Sequence, residues 1–230
     1  MKNDLRCTLF LVLIVFSVTY FLGYQINKNV SIKREISGYI FRSENVVWPS
    51  KRIAVCWESL SQEDRVYAEQ VQLIVTTEFA RAGYEFYSWA ACESYSKLPQ
   101  YLIRIGNLYG IPSVKEFGFR NNHLRNSMNL SFRMINNEKC LQNEEVKTRC
   151  IKIDALHEFG HAIGLIHEHE RRDSSCTRGN FRAGKDFGVE ISKYDELSIM
   201  DYCQNRRMKD GEVPIKLSEG DLEAIEMISR

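Results

Sequence analysis

The sequence predicts an α+β fold, with a sheet-and-helix upper part and a loop-rich lower part. Three observations lead there. Short apolar strands alternate with helical segments through the first half of the chain. Residues 170–197 are polar, irregular and glycine-containing, and little regular structure precedes a final helix. Four of the five histidines fall between His157 and His169, on a helical segment that separates the two parts.

Composition bounds the alternatives. A length of 230 residues fits one domain, or two small ones, at about 150 residues per domain. Hydrophobic residues make up 44% and charged residues 27%, which excludes wholesale disorder. Lys+Arg number 31 against 30 Asp+Glu, so the net charge of +1 makes no electrostatic case for nucleic acid. With 13 Gly and 4 Pro, collagen-like and low-complexity architectures are excluded.

At the start, Lys2 and Arg6 flank an apolar run from Cys7 to Tyr24, which reads as an export signal. No small-residue cleavage site of the A-x-A type follows it. The run is also near the lower length limit for spanning a bilayer. A signal peptide over 1–24 and an uncleaved signal anchor through residues 7–24 are both open. Either way the rest of the chain is exported: secreted, periplasmic or extracellular, or held at a membrane by its N-terminus. Six cysteines follow Cys7, namely Cys56, Cys92, Cys140, Cys150, Cys176 and Cys203. An even set in an exported chain suggests disulfides. Cys140 and Cys150 flank a short polar loop and are expected to pair.

Residues 25–45 are polar and weakly periodic, and read as a linker or short pro-segment. The globular domain then spans 46–230, divided into an upper subdomain 46–165 and a lower subdomain 166–230. Ile53–Cys56 is a short apolar strand. Ser61 and Asp64 have capping-box spacing, and Val66, Val71, Ile74, Val75 and Phe79 follow at helical intervals, with Gly83 as the stop. Tyr84–Trp89 and Leu102–Ile105 are strand-like. Residues 127–134 alternate, with Met128, Leu130, Phe132 and Met134 on one face, as in a half-buried strand at a sheet edge. A helix is expected from about Ile151 to Leu165. A last helix runs from Glu219 to Ser229, with Leu222, Ile225, Met227 and Ile228 as its apolar set.

Residues 157–167 read HEFGHAIGLIH. His157 and His161 are four apart, so on a helix they project from one face, a turn apart. Two imidazoles so placed reach one metal at Zn–N distances of about 2.0–2.1 Å. Glu158 points about 100° away around the axis and can reach a water on the metal's open side. Gly164 accepts positive φ, so the helix stops there and the chain turns back. His167 then approaches the same ion. Three neutral nitrogen ligands with an open position define a catalytic rather than a structural zinc site. Zinc lowers the pKa of bound water to about 7, and Glu158 is placed as general base. Three His, a Glu and a Gly at these fixed positions arise by chance about once in 10⁵ such chains. His169 is expected on the rim and His123 on the surface.

The string H157-E158-x-x-H161-x-x-G164-x-x-H167 resembles the metzincin clan of zinc endopeptidases. Downstream, Ser198-Ile-Met-Asp-Tyr202 looks like its Met-turn, with Met200 as the hydrophobic base beneath the ion. Within the clan the chain is most similar to the astacin family. Glu168, Arg171 and Asp173 match the continuation of that family's zinc motif. Tyr202 matches a tyrosine that there serves as a displaceable extra ligand and helps stabilise the tetrahedral intermediate. Trp48-Pro49 resembles the start of the mature domain. Asp201 stands where the family usually has His, and Arg172 where it has Pro. The resemblance covers roughly Trp48 to Arg230. It implies the metzincin fold: a twisted mixed sheet with an edge strand over the cleft, the zinc helix beneath, and a loop-rich lower subdomain with a C-terminal helix. It also implies that 127–134 is that edge strand, with Asn129, Leu130 and Ser131 binding extended peptide.

The resulting expectation is an exported, monomeric endopeptidase holding one Zn²⁺ on His157, His161 and His167, acting on protein or peptide and on no nucleic acid. Glu158 and Tyr202 are the expected catalytic residues. Two alternatives stay open: a zinc-stabilised binding or adhesion module without turnover, and a membrane-anchored protease of envelope proteins.

Overall fold

The computed structural model describes residues 39–41, 44–133, 138–175, 188–191, 193–202 and 215–229. All of them belong to a unit spanning Ile36–Arg230; the chain's other unit is Met1–Glu35. The expected export segment, Met134, Cys7, Cys176 and Cys203 lie outside the described residues.

Apolar runs of five to seven residues form the centre of the sheet. Strands β1 (Tyr39–Phe41), β2 (Arg52–Trp57), β3 (Glu85–Ala91), β4 (Leu102–Gly106), β5 (Ser113–Val114), β6 (Met128–Asn129) and β7 (Gly188–Glu190) alternate with helices α1 (Arg65–Ala80), α2 (Glu144–Ile163) and α3 (Glu219–Ile228). Five strands join in the order β3-β2-β4-β6-β5. The first four are parallel and β5 runs antiparallel to β6. β2 is buried from Ile53 through Trp57, as a central parallel strand covered on both faces must be. Cys56 on this strand is bonded to Cys92 just beyond β3. The expected Cys140–Cys150 disulfide is also present.

Helices α1 and α2 pack on one face of the sheet. Their shared core is aromatic: Phe159 of α2 lies 4.9 Å from Phe86 of β3 and 6.2 Å from Phe79 of α1, ring centre to ring centre. α1 buries Tyr67, Ala68, Val71, Val75 and Phe79, whereas Val66, expected in its apolar set, is exposed. The buried set starts at Tyr67, one position further round the helix. Met227 of α3 is likewise outside the core, which takes Ala224, Ile225 and Ile228.

Two sequence expectations are corrected, and one further segment is found to be structured. First, α2 begins at Glu144 rather than near Ile151. Asn143 caps it by accepting from Val146 N at 2.9 Å, and Glu144 and Glu145 occupy the positive N-terminal end. Second, residues 127–134 are not the sheet edge. Among its described residues only Met128–Asn129 is strand, and it is paired on both sides, by β4 and by β5. Leu130 and Ser131 are buried. The Asn129 amide accepts from Leu108 N at 2.8 Å and donates to Ile111 O, so it anchors the loop before β5. The outer strand is β5. Residues 39–41, inside the stretch read as a linker or short pro-segment, form a strand. β1 pairs antiparallel with β7, and Ile40 forms a bridge with Leu165.

Trp48 ties the start of the globular part to the end of α2. Its indole N–H donates to Ala162 O at 2.7 Å, and the ring is 4% exposed. Among the described residues no helix is long and apolar enough to cross a membrane.

Candidate metal centre

Helix α2 presents His157 and His161 on one face because they are four residues apart. The helix ends at Gly164, whose φ of +112° is the left-handed value an L side chain rarely adopts. The chain then turns back, and His167 comes within reach of the pair. One nitrogen from each of His157, His161 and His167 lies within 4.8 Å of the others. His157 and His161 are 2% and 6% exposed.

The hydrogen bonds assign the protons. His157 Nδ1 faces Ile199 O at 3.0 Å and His161 Nδ1 faces Leu165 O at 2.8 Å. A carbonyl oxygen only accepts, so each Nδ1 carries the proton and each Nε2 keeps its lone pair. His167 Nδ1 in turn faces Glu170 Oε1 at 3.2 Å. The Nε2 atoms of His161 and His167 are then two lone pairs pointed at each other, 3.0 Å apart. Neutral rings repel in that arrangement unless a cation sits between them. Tetrahedral zinc at 2.0–2.1 Å from each nitrogen would set them about 3.3 Å apart. The donor set therefore fits zinc. Burial, and then the His167 charge, push the His161 imidazole down to about 3, which keeps it a neutral ligand.

Residues 198–202 form the floor. Met200 is 1% exposed and lies directly under α2, where a Cβ added to Gly160 would meet its Sδ at 2.6 Å. Gly160 is a requirement the sequence reading passed over; a glycine inside a helix between two ligands was the signal. Buried Asp221 at the start of α3 braces the turn. It accepts from Ser198 Oγ at 2.6 Å, Ile199 N at 2.9 Å and Ser218 N at 2.9 Å. Ser218 and Asp221 also form the capping box of α3. One carboxylate thus fixes both the helix start and the residue whose carbonyl orients His157. Burial pushes this carboxyl upward.

Glu158 is on α2 next to His157 and is 4% exposed. The Tyr202 hydroxyl donates to His157 Nε2 at 2.9 Å, into the lone pair a metal would use, and its ring stacks on that imidazole at 4.8 Å. Tyr202 is nevertheless 44% exposed, so its ring has room to move. His169, expected on the rim, is buried. It stacks on His167 at 4.9 Å, and its Nδ1 faces Tyr202 N at 3.4 Å. His123 is far from this cluster in the chain and bonds Gln100 O.

The three residues that continue the motif are tied together. Glu168 is 1% exposed; it accepts from Asp195 N at 2.9 Å and lies 3.4 Å from Arg171 Nε. Arg171 holds Asp173 with two hydrogen bonds of 2.8 and 3.0 Å. Burial raises the Glu168 carboxyl to about 8 despite these partners. From the sheet side, Phe117 sets its ring edge against His161 at 5.1 Å, which brings the chain just after β5 to the metal centre. The sequence reading did not single out Phe117.

No family model and no curated protein sequence matches the chain. Solved structures do. A structure of myroilysin aligns with a TM-score of 0.50 at 18% identity, covering 83% of this chain and 98% of that one. A crystal structure of myroilysin gives 0.48 at 17%, covering 80% and 85%. At this identity the first likeness is one of fold. The chain has the α+β, metzincin-like fold, and in it a three-histidine cluster able to hold a metal.

Proposed function

We propose that this protein is a zinc-dependent endopeptidase. One observation carries the reading: three histidines converge their Nε2 lone pairs while each Nδ1 proton is committed to an oxygen. A zinc ion held by His157, His161 and His167 supplies Lewis acidity toward a carbonyl and a water of pKa about 7. Glu158 accepts a proton from the attacking water as the new C–O bond forms, then delivers it to the amine nitrogen as the C–N bond breaks. The Tyr202 hydroxyl, turned away from His157, donates to the oxygen on which negative charge develops. Met200 keeps the floor dry and fixed.

Extended peptide adds to the outer side of β5, not to 127–134. Backbone pairing at a sheet edge is independent of side-chain identity, which suits an endopeptidase. The contact between Phe117 and His161 supports this placement, because it sets the edge beside the metal centre.

The test is cleavage of a mixed, partly unfolded protein substrate by the zinc-loaded full chain. Glu158→Ala is expected to keep zinc and lose about 10²–10⁴ in turnover, the size of a general-base contribution. Tyr202→Phe is expected to cost less. No cleavage by a folded, zinc-bearing parent would turn the reading toward a binding module, and normal turnover in Glu158→Ala would end the role given to that residue.

A further inference from the structure

We propose that Glu170 is a positioning residue for the third ligand, and that its carboxylate sets how firmly the site retains zinc. The inference rests on the metal-centre reading above.

The three histidines are not held alike. His157 and His161 sit on α2, and their Nδ1 protons go to neutral carbonyls, Ile199 O and Leu165 O. His167 lies beyond the helix, on the returning chain, with its side chain 25% exposed. Its Nδ1 proton goes to a carboxylate, Glu170 Oε1, at 3.2 Å. The partner comes from a short 3₁₀ turn, Glu168–Glu170, whose spacing brings the side chains at i and i+3 together. The backbone closes the same loop, since Glu170 N donates to His167 O at 3.1 Å. His169, inside this turn, packs its ring against His167 at 4.9 Å. Arg171, the adjacent cation, is directed at Asp173 and Glu168.

An anionic acceptor does two things that a carbonyl does less well. It draws the Nδ1 proton more strongly, which makes Nε2 a better electron donor, and it favours one ring orientation. Both compensate for what His167 lacks: a helix to hold it and full burial. Loss of such an outer partner typically weakens metal binding about 10–100-fold. Glu170, His167 and His169 also form a second group of closely spaced metal-ligating atoms. That group uses the same His167, so the test must separate a partner of the ligand from a ligand to another ion.

The experiment is competition for zinc between the full chain and a chromophoric chelator, with the parent, Glu170→Gln and Glu170→Ala. Thermal unfolding of each metal-free protein is measured alongside. One zinc per chain is expected throughout. Glu170→Ala should bind it about 10–100-fold more weakly, and Glu170→Gln, which keeps an acceptor but not the charge, should fall between. Metal-free unfolding temperatures should coincide, because Glu170 is partly exposed and acts through His167. Equal zinc affinity in all three proteins overturns the proposal. So does a metal-free destabilisation that accounts for the loss of affinity, or a second bound zinc that disappears with Glu170. His157→Ala is the control for the underlying reading: zinc affinity unmoved by that change would overturn the metal centre itself.

Discussion

Gly160→Ala probes whether the zinc-motif helix rests directly on the turn that carries Met200. The added Cβ would lie 2.6 Å from Met200 Sδ and 3.5 Å from Met200 Cε and Leu165 Cδ1. Comfortable contacts between carbons are about 3.5–4.0 Å, so the sulfur must move by about 1 Å. Met200 is 1% exposed and has no open space to enter. Overpacking of this kind costs about 1–3 kcal/mol. Alanine's helix preference over glycine offsets about 0.8–1.0 kcal/mol of that. The net in the parent is therefore a loss of about 0–2 kcal/mol. Met200→Ala alone should cost about 2–5 kcal/mol as a buried large-to-small change. In that background the clash is gone, and Gly160→Ala should stabilise by about 1 kcal/mol. The two effects of Gly160→Ala thus differ by about 1–3 kcal/mol, the overpacking contribution itself. Urea unfolding of the four metal-free proteins measures the cycle. A coupling below about 0.5 kcal/mol, the size found for independent sites, would refute the contact.

Asp221→Ala leaves the buried amides of Ile199 and Ser218 without their acceptor, at about 1–3 kcal/mol each. Calorimetry should show the unfolding temperature lowered by about 5–20 °C, with weaker zinc binding because Ile199 O orients His157; a temperature unchanged within a degree would contradict the bracing role. His161, whose folded value is pushed to about 3 from 6.5, contributes to the acid response with a definite sign. Between those values the unfolded chain binds a proton that the folded chain refuses. The His161 contribution to the stability of the metal-free protein is therefore whole above pH 6.5 and is lost as pH falls toward 3, with a slope of up to about 1.4 kcal/mol per pH unit. Glu168, raised to about 8, contributes with the opposite sign between 4.5 and 8. The stability difference between the parent and His161→Gln, from denaturant midpoints, should therefore grow with pH from about 3 to 6.5, and a difference flat with pH would contradict it.

The three-histidine cluster was legible because its spacing is helical geometry written in residue types. Four residues between His157 and His161, a glycine at 164 and a histidine three further on leave little freedom in where the nitrogens go. The same local logic held for β2 and β4. It failed where the answer depends on neighbours from elsewhere in the chain. Alternation at Met128, Leu130 and Phe132 identifies an inward face correctly, and all three are buried. It does not say how many strands lie alongside, and β5 takes the edge. His169 reads as a rim residue and Glu170 only as the start of a polar run, yet one packs on His167 and the other accepts its proton. The start of α2 is a different case. Asn143 with two glutamates after it is a readable cap, obscured by the polar first turns that follow.

The ribbon of β1 and β7 changes what trimming of this chain would mean. Residues 39–41 supply the backbone partner of 188–190, and Ile40 reaches Leu165, two positions before His167. Severing the chain between Phe41 and Trp48 would therefore do more than release the residues before the cut. It would strip a strand from its neighbour and expose the hydrogen-bonding edge of 188–190. It would also unfasten the returning segment that delivers the third histidine. Processing at that point would act on the three-histidine cluster through the backbone pairing of residues 39–41.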